Sequence, residues 1–149
     1  MNTHGRNRFT PCNSSFYILQ RTDVGEIFMV HCLIVGIGGF IGAVLRYLIT
    51  LIPMKENTLF PYKTFAVNIL GAFAIAVIAI LYSKMKKPNA ELLLFLKVGI
   101  CGGFTTFSSF ALETFDLLKL GATIQAAVYV ILSVVISLLV IYGIQSLLQ

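Results

Sequence analysis

The residues with the clearest chemical potential lie in one short segment, 99–110, which reads Gly-Ile-Cys-Gly-Gly-Phe-Thr-Thr-Phe-Ser-Ser-Phe. Two adjacent glycines, Gly102 and Gly103, are followed by four hydroxyl side chains and three phenyl rings. Backbone carbonyls freed by a helix break can coordinate a cation, and the electropositive edge of a phenyl ring can meet an anion. The segment therefore predicts a site that handles ions, with the helix broken near Gly102-Gly103.

A second polar feature is a stripe near the end of the chain, formed by Tyr129, Ser133 and Ser137. Residues four apart lie on the same face of a helix. A lone serine in a membrane helix usually bonds its own backbone, whereas three polar side chains in register favour a stripe that lines an ion path.

Two more polar side chains lie within apolar stretches, and each has two interpretations. Asn68, with Thr64 one turn before it, either bonds a neighbouring helix or lines a wet path, because an amide in lipid needs partners. Arg46 either anchors a helix end at the interface or attracts an anion to a vestibule. The acidic residues Glu113 and Asp116 come near the end of their stretch and are expected at the interface.

The elements that must position these residues are membrane-spanning helices. Of the 149 residues, 58% are hydrophobic and only 11% are charged, whereas soluble domains carry roughly 25% charged residues. Four stretches reach the ~20 apolar residues that a span needs, and they cover 27–52, 64–82, 92–118 and 122–148. We predict an all-α membrane protein with four transmembrane helices, whose small interior makes oligomerisation expected.

The chain divides into a membrane domain, 29–149, and a polar N-terminal segment, 1–28. The N-terminal segment is interpreted as a disordered tail or as the result of a wrongly assigned start, and it has no signal-peptide layout. Within the first span, Gly38 and Gly42 are four residues apart, a spacing that lets two helices approach closely.

Several function classes find no support in the sequence. The three cysteines are odd in number and show no paired spacing, so no disulfide framework is indicated. The two histidines form no ligand pattern with the cysteines, so no metal site of that kind is indicated either. No Ser-His-Asp set, carboxylate pair or phosphate-binding loop is visible, and we expect no enzyme. The net charge of +5 is spread over the tail and the loops without forming a basic face, so no nucleic-acid partner is expected.

Basic residues near span ends determine orientation, with the richer side cytoplasmic. Outside the tail, four basic side chains flank each side of the membrane: Lys84, Lys86, Lys87 and Lys97 on one, and Arg46, Lys55, Lys63 and Lys119 on the other. This balance permits insertion in both orientations. The three arginines of the tail, if present, favour a cytoplasmic N-terminus.

Taken together, these motifs resemble the Fluc (CrcB) family of fluoride channels. The similarity covers about 30–148 and rests on Gly-Gly-Phe-Ile-Gly-Ala-Val-Leu-Arg-Tyr at 38–47, Val-Asn-Ile-Leu-Gly at 67–71, the segment 102–110 and the last-helix stripe. Ser109 stands where the family more often has threonine, which keeps the hydroxyl.

The resemblance implies a passive, fluoride-selective channel in a bacterial-type cell membrane, which releases cytoplasmic fluoride and so reduces its toxicity. It also implies an antiparallel dimer, either a homodimer or a heterodimer with a related chain. A structural sodium ion at the dimer centre would be held by the backbone carbonyls of Gly102 and Thr105. The ion pathway implied by the family comprises Arg46, Asn68, Thr106, Phe107, Ser108, Phe110, Tyr129, Ser133 and Ser137.

Two rival interpretations fit less well. A small dual-topology multidrug exporter needs a carboxylate embedded in an early helix, but the first span has no acid beyond Glu26 at its edge and the second has none. A non-transporting scaffold would explain the small residues at helix contacts. It would not explain the hydroxyl-rich break or the polar stripe.

Overall fold

The computed structural model describes residues 24–53 and 59–148. Helix α1 covers Val24–Thr50, α2 covers Tyr62–Lys84 and α5 covers Thr123–Leu148, with the third span between the last two. All four spans are long and apolar enough to cross a membrane, which confirms the predicted all-helical, multi-pass organisation. Helix α1 already begins at Val24, inside the predicted tail, and residues 1–23 of that tail lie outside the described ranges.

The third span consists of two helices. Helix α3 starts with the turn Ala90–Leu93, continues as the π-helix Leu94–Cys101 and ends with the turn Gly102–Phe104. Helix α4 follows as Phe107–Lys119. The predicted break is therefore present, but it lies just after the glycine pair: Gly102 is helical, with φ −64° and ψ −39°, and the chain becomes extended at Thr105 and Thr106.

The two threonines explain the position of the break. Thr105 has φ −75° and ψ 157°, and Thr106 has φ −146° and ψ 114°, an extended geometry that suits β-branched side chains. The Thr106 hydroxyl accepts a hydrogen bond from the Ser109 N–H. Thr106 is thus the N-cap of α4, a position for which threonine is among the favoured residues.

The glycines instead allow α1 and α3 to cross at backbone contact. A Cβ atom on Gly38 would lie 2.7 Å from the Phe95 carbonyl oxygen, and one on Gly99 would lie 2.8 Å from the Gly38 Cα. Likewise, a Cβ on Gly103 would lie 2.9 Å from the Gly39 Cα. Only glycine permits such an approach, so the predicted packing role of the small residues in α1 is confirmed.

Helices α4 and α5 form a tight hairpin. Gly121 adopts φ +74°, and its N–H donates to the Leu118 carbonyl while the Ala122 N–H donates to the Leu117 carbonyl. This is a helix end terminated by a left-handed glycine. The hairpin places the first turns of α5 against α4, where Leu117, Ala122, Ala126 and Tyr129 form a buried cluster.

Candidate ion pathway around the helix break

Asn68 joins α2 to the broken segment of the third span. Its Oδ1 accepts the Thr106 N–H at 2.9 Å, and its Nδ2 donates to the Thr106 carbonyl at 3.1 Å. The amide thereby satisfies both backbone groups of one extended residue. Of the two interpretations of Asn68, the bond to a neighbouring helix is observed, and the residue also lines a cavity described below.

The break leaves the four carbonyls of 102–105 without their usual donors. In a continuous α-helix, each N–H donates to the carbonyl four residues earlier, so the Thr106 N–H would donate to Gly102 and the Ser109 N–H to Thr105. Here the Thr106 N–H donates to Asn68 and the Ser109 N–H donates to the Thr106 hydroxyl. The carbonyls of Gly102 and Thr105, like those of Gly103 and Phe104, therefore accept no backbone hydrogen bond across the break among the described residues.

Two cavities lie next to the break, and Thr106 lines both. Cavity A has a volume of about 280 Å³ and is lined by Ala43, Arg46, Tyr47, Thr50, Lys63, Thr64, Val67, Thr106 and Ser109. Cavity B has a volume of about 430 Å³ and is lined by Asn68, Gly71, Ala72, Ile75, Lys97, Cys101, Gly102, Thr105, Thr106, Phe107, Phe110, Ser133, Val134, Ser137 and Leu138.

Cavity A is cationic. It contains Arg46 and Lys63, and the Lys63 ammonium donates to the Thr50 carbonyl at 2.6 Å. The Nε of Arg46 is buried and has no hydrogen-bond partner among the described residues. Because a buried donor without an acceptor is costly, the arginine is suited to meet an anion that enters this cavity.

Cavity B combines hydroxyl groups with aromatic rings. Ser133 is 7% exposed, and its Oγ finds no hydrogen-bond partner in the part of the chain that the structure describes. The rings of Phe107 and Phe110 have centroids 5.8 Å apart and are tilted by 44°. Phe107 is 80% exposed. These groups offer an anion a free hydroxyl donor and ring edges without any acidic neighbour in the cavity lining.

Glu113 has a role that the sequence analysis missed. Its carboxylate accepts the Thr64 hydroxyl at 2.6 Å and the Tyr129 hydroxyl at 2.8 Å, so it joins α4 to α2 and α5 instead of lying free at the interface. Tyr129 is fully buried, and its ring packs against Phe110 at 5.1 Å and Phe60 at 5.3 Å. Through Tyr129, this network fixes the position of the Phe110 ring.

The structure brings most of the predicted pathway residues together in cavity B. That cavity contains Asn68, Thr106, Phe107, Phe110, Ser133 and Ser137, with Gly102 and Thr105 in the same wall. Arg46 lies in cavity A. Ser108 and Tyr129 line neither cavity: the Ser108 Oγ lies 3.4 Å from the Thr106 Oγ1, and the Tyr129 hydroxyl is bonded to Glu113.

Lys97 is a second residue whose surroundings the sequence analysis missed. Counted there among the basic residues that flank one side of the membrane, it lies in the π-helical part of α3, near the start of the third span, and lines cavity B. The available signal was its position, since it falls within the predicted third span, 92–118, and not in the loop before it.

Comparison with known proteins identifies the family. The profile of the family described as CrcB-like protein, Camphor Resistance (CrcB), matches residues 33–144. A protein named fluoride-specific ion channel FluC from Ruminiclostridium cellulolyticum is 44% identical over 107 residues, which cover 71% of this chain and 82% of that protein. The FluC of Chlorobaculum tepidum is 46% identical over 104 residues, covering 68% and 81% respectively.

A third relative, the FluC of Chlorobium chlorochromatii, is 40% identical over 112 residues, covering 75% of this chain and 87% of that protein. The residues matched by the family profile, 33–144, contain the crossing of α1 and α3, the helix break and both cavities. The chain therefore belongs to the CrcB/FluC family of fluoride-specific ion channels.

Proposed function

We propose that this protein is a passive, fluoride-selective channel that exports cytoplasmic fluoride and so reduces its toxicity. The observation that carries the proposal is cavity B, where the Ser133 hydroxyl, which has no hydrogen-bond partner among the described residues, lies with two phenyl rings at a broken membrane helix. The names of the relatives support fluoride as the permeating ion. Nothing in this arrangement requires a chemical reaction, so the protein is proposed to move an ion and not to act as an enzyme.

The proposed path begins at cavity A, where Arg46 and Lys63 raise the local concentration of anions. From there the ion passes the hydroxyl groups at the break, since Thr106 lines both cavities. In cavity B it meets the ring edges of Phe107 and Phe110 and the hydroxyls of Ser133 and Ser137. Ser108 and Tyr129 contribute indirectly, through their contacts with Thr106 and Glu113.

Selectivity for fluoride follows from the kind of group that the path offers. Fluoride is the smallest halide and holds its charge in the smallest volume, so it gains most from hydrogen-bond donors and positive ring edges. A hydroxyl donor facing a charged acceptor forms a shorter and stronger bond than one facing a neutral acceptor. Chloride is larger and gains less from the same donors.

The functional unit is proposed to be an antiparallel homodimer. One copy has four spans and leaves cavity B open along one side, with the Phe107 ring 80% exposed. A second copy would close the cavity and cover that ring. The balanced distribution of basic residues permits both insertion directions. A heterodimer with a related chain would satisfy the same geometry.

A structural sodium ion at the dimer centre is supported by the free carbonyls at the break. Carbonyl oxygens are suitable ligands for an alkali cation, and Gly102 and Thr105 are among the four residues, 102–105, whose carbonyls lose their helical donors at the break. These carbonyls would hold the ion, and a second copy would supply the same pair. Bound there, the cation would fix the geometry of the break. It would take no part in moving fluoride.

A growth experiment tests export in cells. Bacteria that lack their own fluoride exporter are given this protein and grown at mildly acidic external pH with rising fluoride, under conditions in which HF enters and dissociates inside. We expect growth at fluoride concentrations that stop the parent strain. Equal sensitivity of the two strains, with the protein detected in the membrane, would contradict the proposal.

A further inference from the structure

The wall of cavity B contains a cation that the proposed pathway does not use. Lys97 is partly buried, and it is the only residue with a formal charge among the described residues that line this cavity. A charge within a membrane span is costly and usually faces a water-filled cavity or an ion path. Its position in this wall is therefore a functional lead.

Lys97 lies in the π-helical part of α3. The stretch Leu94–Cys101 is a π-helix, in which hydrogen bonds connect residues five apart. Lys97 lies within this stretch and Gly102 directly follows it, although the Gly102 N–H bonds the residue three positions earlier and not Lys97. Both residues line cavity B, together with Cys101 and Thr105. Stretches of π-helix are frequent at functional sites.

A second, independent observation points to an anion in the same cavity. The Ser133 hydroxyl is more than nine-tenths buried and has no hydrogen-bond partner among the residues that the structure describes. The Asn68 amide is already bonded to the Thr106 backbone, so it does not satisfy this hydroxyl. An unused hydroxyl donor and an ammonium group within one cavity form a suitable site for a small anion.

We propose that the ammonium group of Lys97 attracts the permeating anion into cavity B and raises its concentration beside Ser133 and Ser137. The inference rests on the proposed function and adds a residue to it. Arg46 and Lys63 act in the same way in cavity A, on the other side of Thr106. The path then has a cation on each side of the break, and an anion approaching from either direction is attracted before it reaches the rings.

The competing explanation is an anchor at the interface. Lys97 follows the first residue of the span, Ala90, by seven positions, or roughly 10 Å along a helix. A long lysine side chain could extend from there toward the headgroups. An anchor would affect insertion and stability but not the rate at which an anion enters the cavity, so a transport measurement separates the two roles.

The test uses purified full-length protein in liposomes and measures fluoride efflux at two ionic strengths. At about 0.01 M salt the Debye length is ~30 Å, and at about 1 M it is ~3 Å. Lys97→Met removes the charge and keeps an unbranched side chain, whereas Lys97→Arg keeps the charge. Lys86→Met removes an exposed lysine of the adjacent loop and is the matched control.

We expect Lys97→Met to lower fluoride efflux at least about tenfold at low salt, the lower limit of typical electrostatic focusing, and much less at high salt. Lys86→Met should remain close to wild type at both ionic strengths, and Lys97→Arg should recover most of the low-salt efflux that Lys97→Met loses. If Lys97→Met does not assemble, Lys97→Gln takes its place in the same comparison. Unchanged low-salt efflux in the assembled neutral variant would overturn the role of Lys97, whereas a wild-type protein that releases no fluoride would overturn the proposed function itself.

Discussion

At the scale of single residues, the side chains around the break divide into two groups. Asn68 and the hydroxyl of Thr106 bond backbone groups that the break has freed, and so they hold its shape. Ser133 and Arg46 carry buried donor atoms without hydrogen-bond partners in the described part of the chain, and they line the two cavities. A substitution in the first group should affect folding, whereas one in the second should affect transport.

Ser133→Ala tests this division directly. Removing a buried hydroxyl that has no partner among the described residues costs no observed hydrogen bond, so the folded protein should be unchanged in stability or about 1 kcal/mol more stable. Fluoride efflux should nevertheless fall at least about tenfold if the lost donor is worth ~1.4 kcal/mol at the rate-limiting position. Thermal survival in detergent and liposome efflux measure the two effects. Lower stability with unchanged efflux would show that the hydroxyl is structural.

Phe110→Ile tests the aromatic rings. Isoleucine keeps an apolar side chain of similar bulk but has no electropositive edge, so fluoride efflux should fall at least about tenfold, again ~1.4 kcal/mol, while the dimer still forms. Phe115→Ile is the matched control on the same helix, because that ring is exposed and lines neither cavity. Equal efflux of the two variants would remove Phe110 from the pathway.

The sequence predicted the residue types of the site better than their partners. Asn68, Phe110 and Ser133 stood out because polar or aromatic side chains at helical spacing are conspicuous in apolar helices. Glu113 did not, because its role depends on Thr64, which is 49 residues earlier in the chain. A contact between two spans depends on how the helices are rotated against each other, and spacing within one helix does not determine that.

At the scale of the elements, the main features are the contact between α1 and α3 and the end of α3. The glycine pair looked like the break because glycine weakens helices. In the structure it serves the helix contact, and the break follows at Thr105 and Thr106. That position depends on Asn68 of α2, which accepts the Thr106 N–H. The existence of the break could be predicted from one helix, but its position required two.

Gly38→Ala tests the helix contact. The new Cβ would meet the Phe95 carbonyl at 2.7 Å, and since a backbone atom cannot move aside freely, we expect a loss of about 1–3 kcal/mol. Gly36→Ala is the matched control, because a Cβ there has no neighbour within 4 Å, and it should be neutral or stabilising by about 0.5–1 kcal/mol. The fraction that remains folded after heating in detergent measures both. Equal survival of the two variants would contradict the close contact.

At the scale of the whole molecule, the four spans could be predicted from apolar length alone, and they occupy nearly the predicted ranges. The arrangement of two copies could not be predicted in this way, because it depends on surfaces that one chain leaves exposed. Phe107 and the open side of cavity B form such a surface. The proposed antiparallel dimer makes a clear prediction about orientation.

The variant Lys86→Cys reports that orientation. It is made in a protein whose three native cysteines are replaced by serine, so that position 86 carries the single cysteine. Lys86 lies in the exposed loop between α2 and α3. In a homodimer of opposed copies, a maleimide that cannot cross the membrane should label about half of the protein from outside intact cells, as the balanced charges permit. Complete or absent labelling would contradict the antiparallel homodimer and leave a heterodimer of oppositely oriented related chains.

The most direct test of the central claim is the release of fluoride and of chloride from liposomes that contain the purified protein. Each anion is measured with its own electrode. A potassium ionophore lets potassium leave with the anion, so that no membrane potential builds up against its release. The proposed pathway predicts rapid fluoride release, chloride release no faster than from protein-free liposomes, and a fall in fluoride release with Ser133→Ala. Equal release of both anions, or no release from a folded dimer, would contradict it.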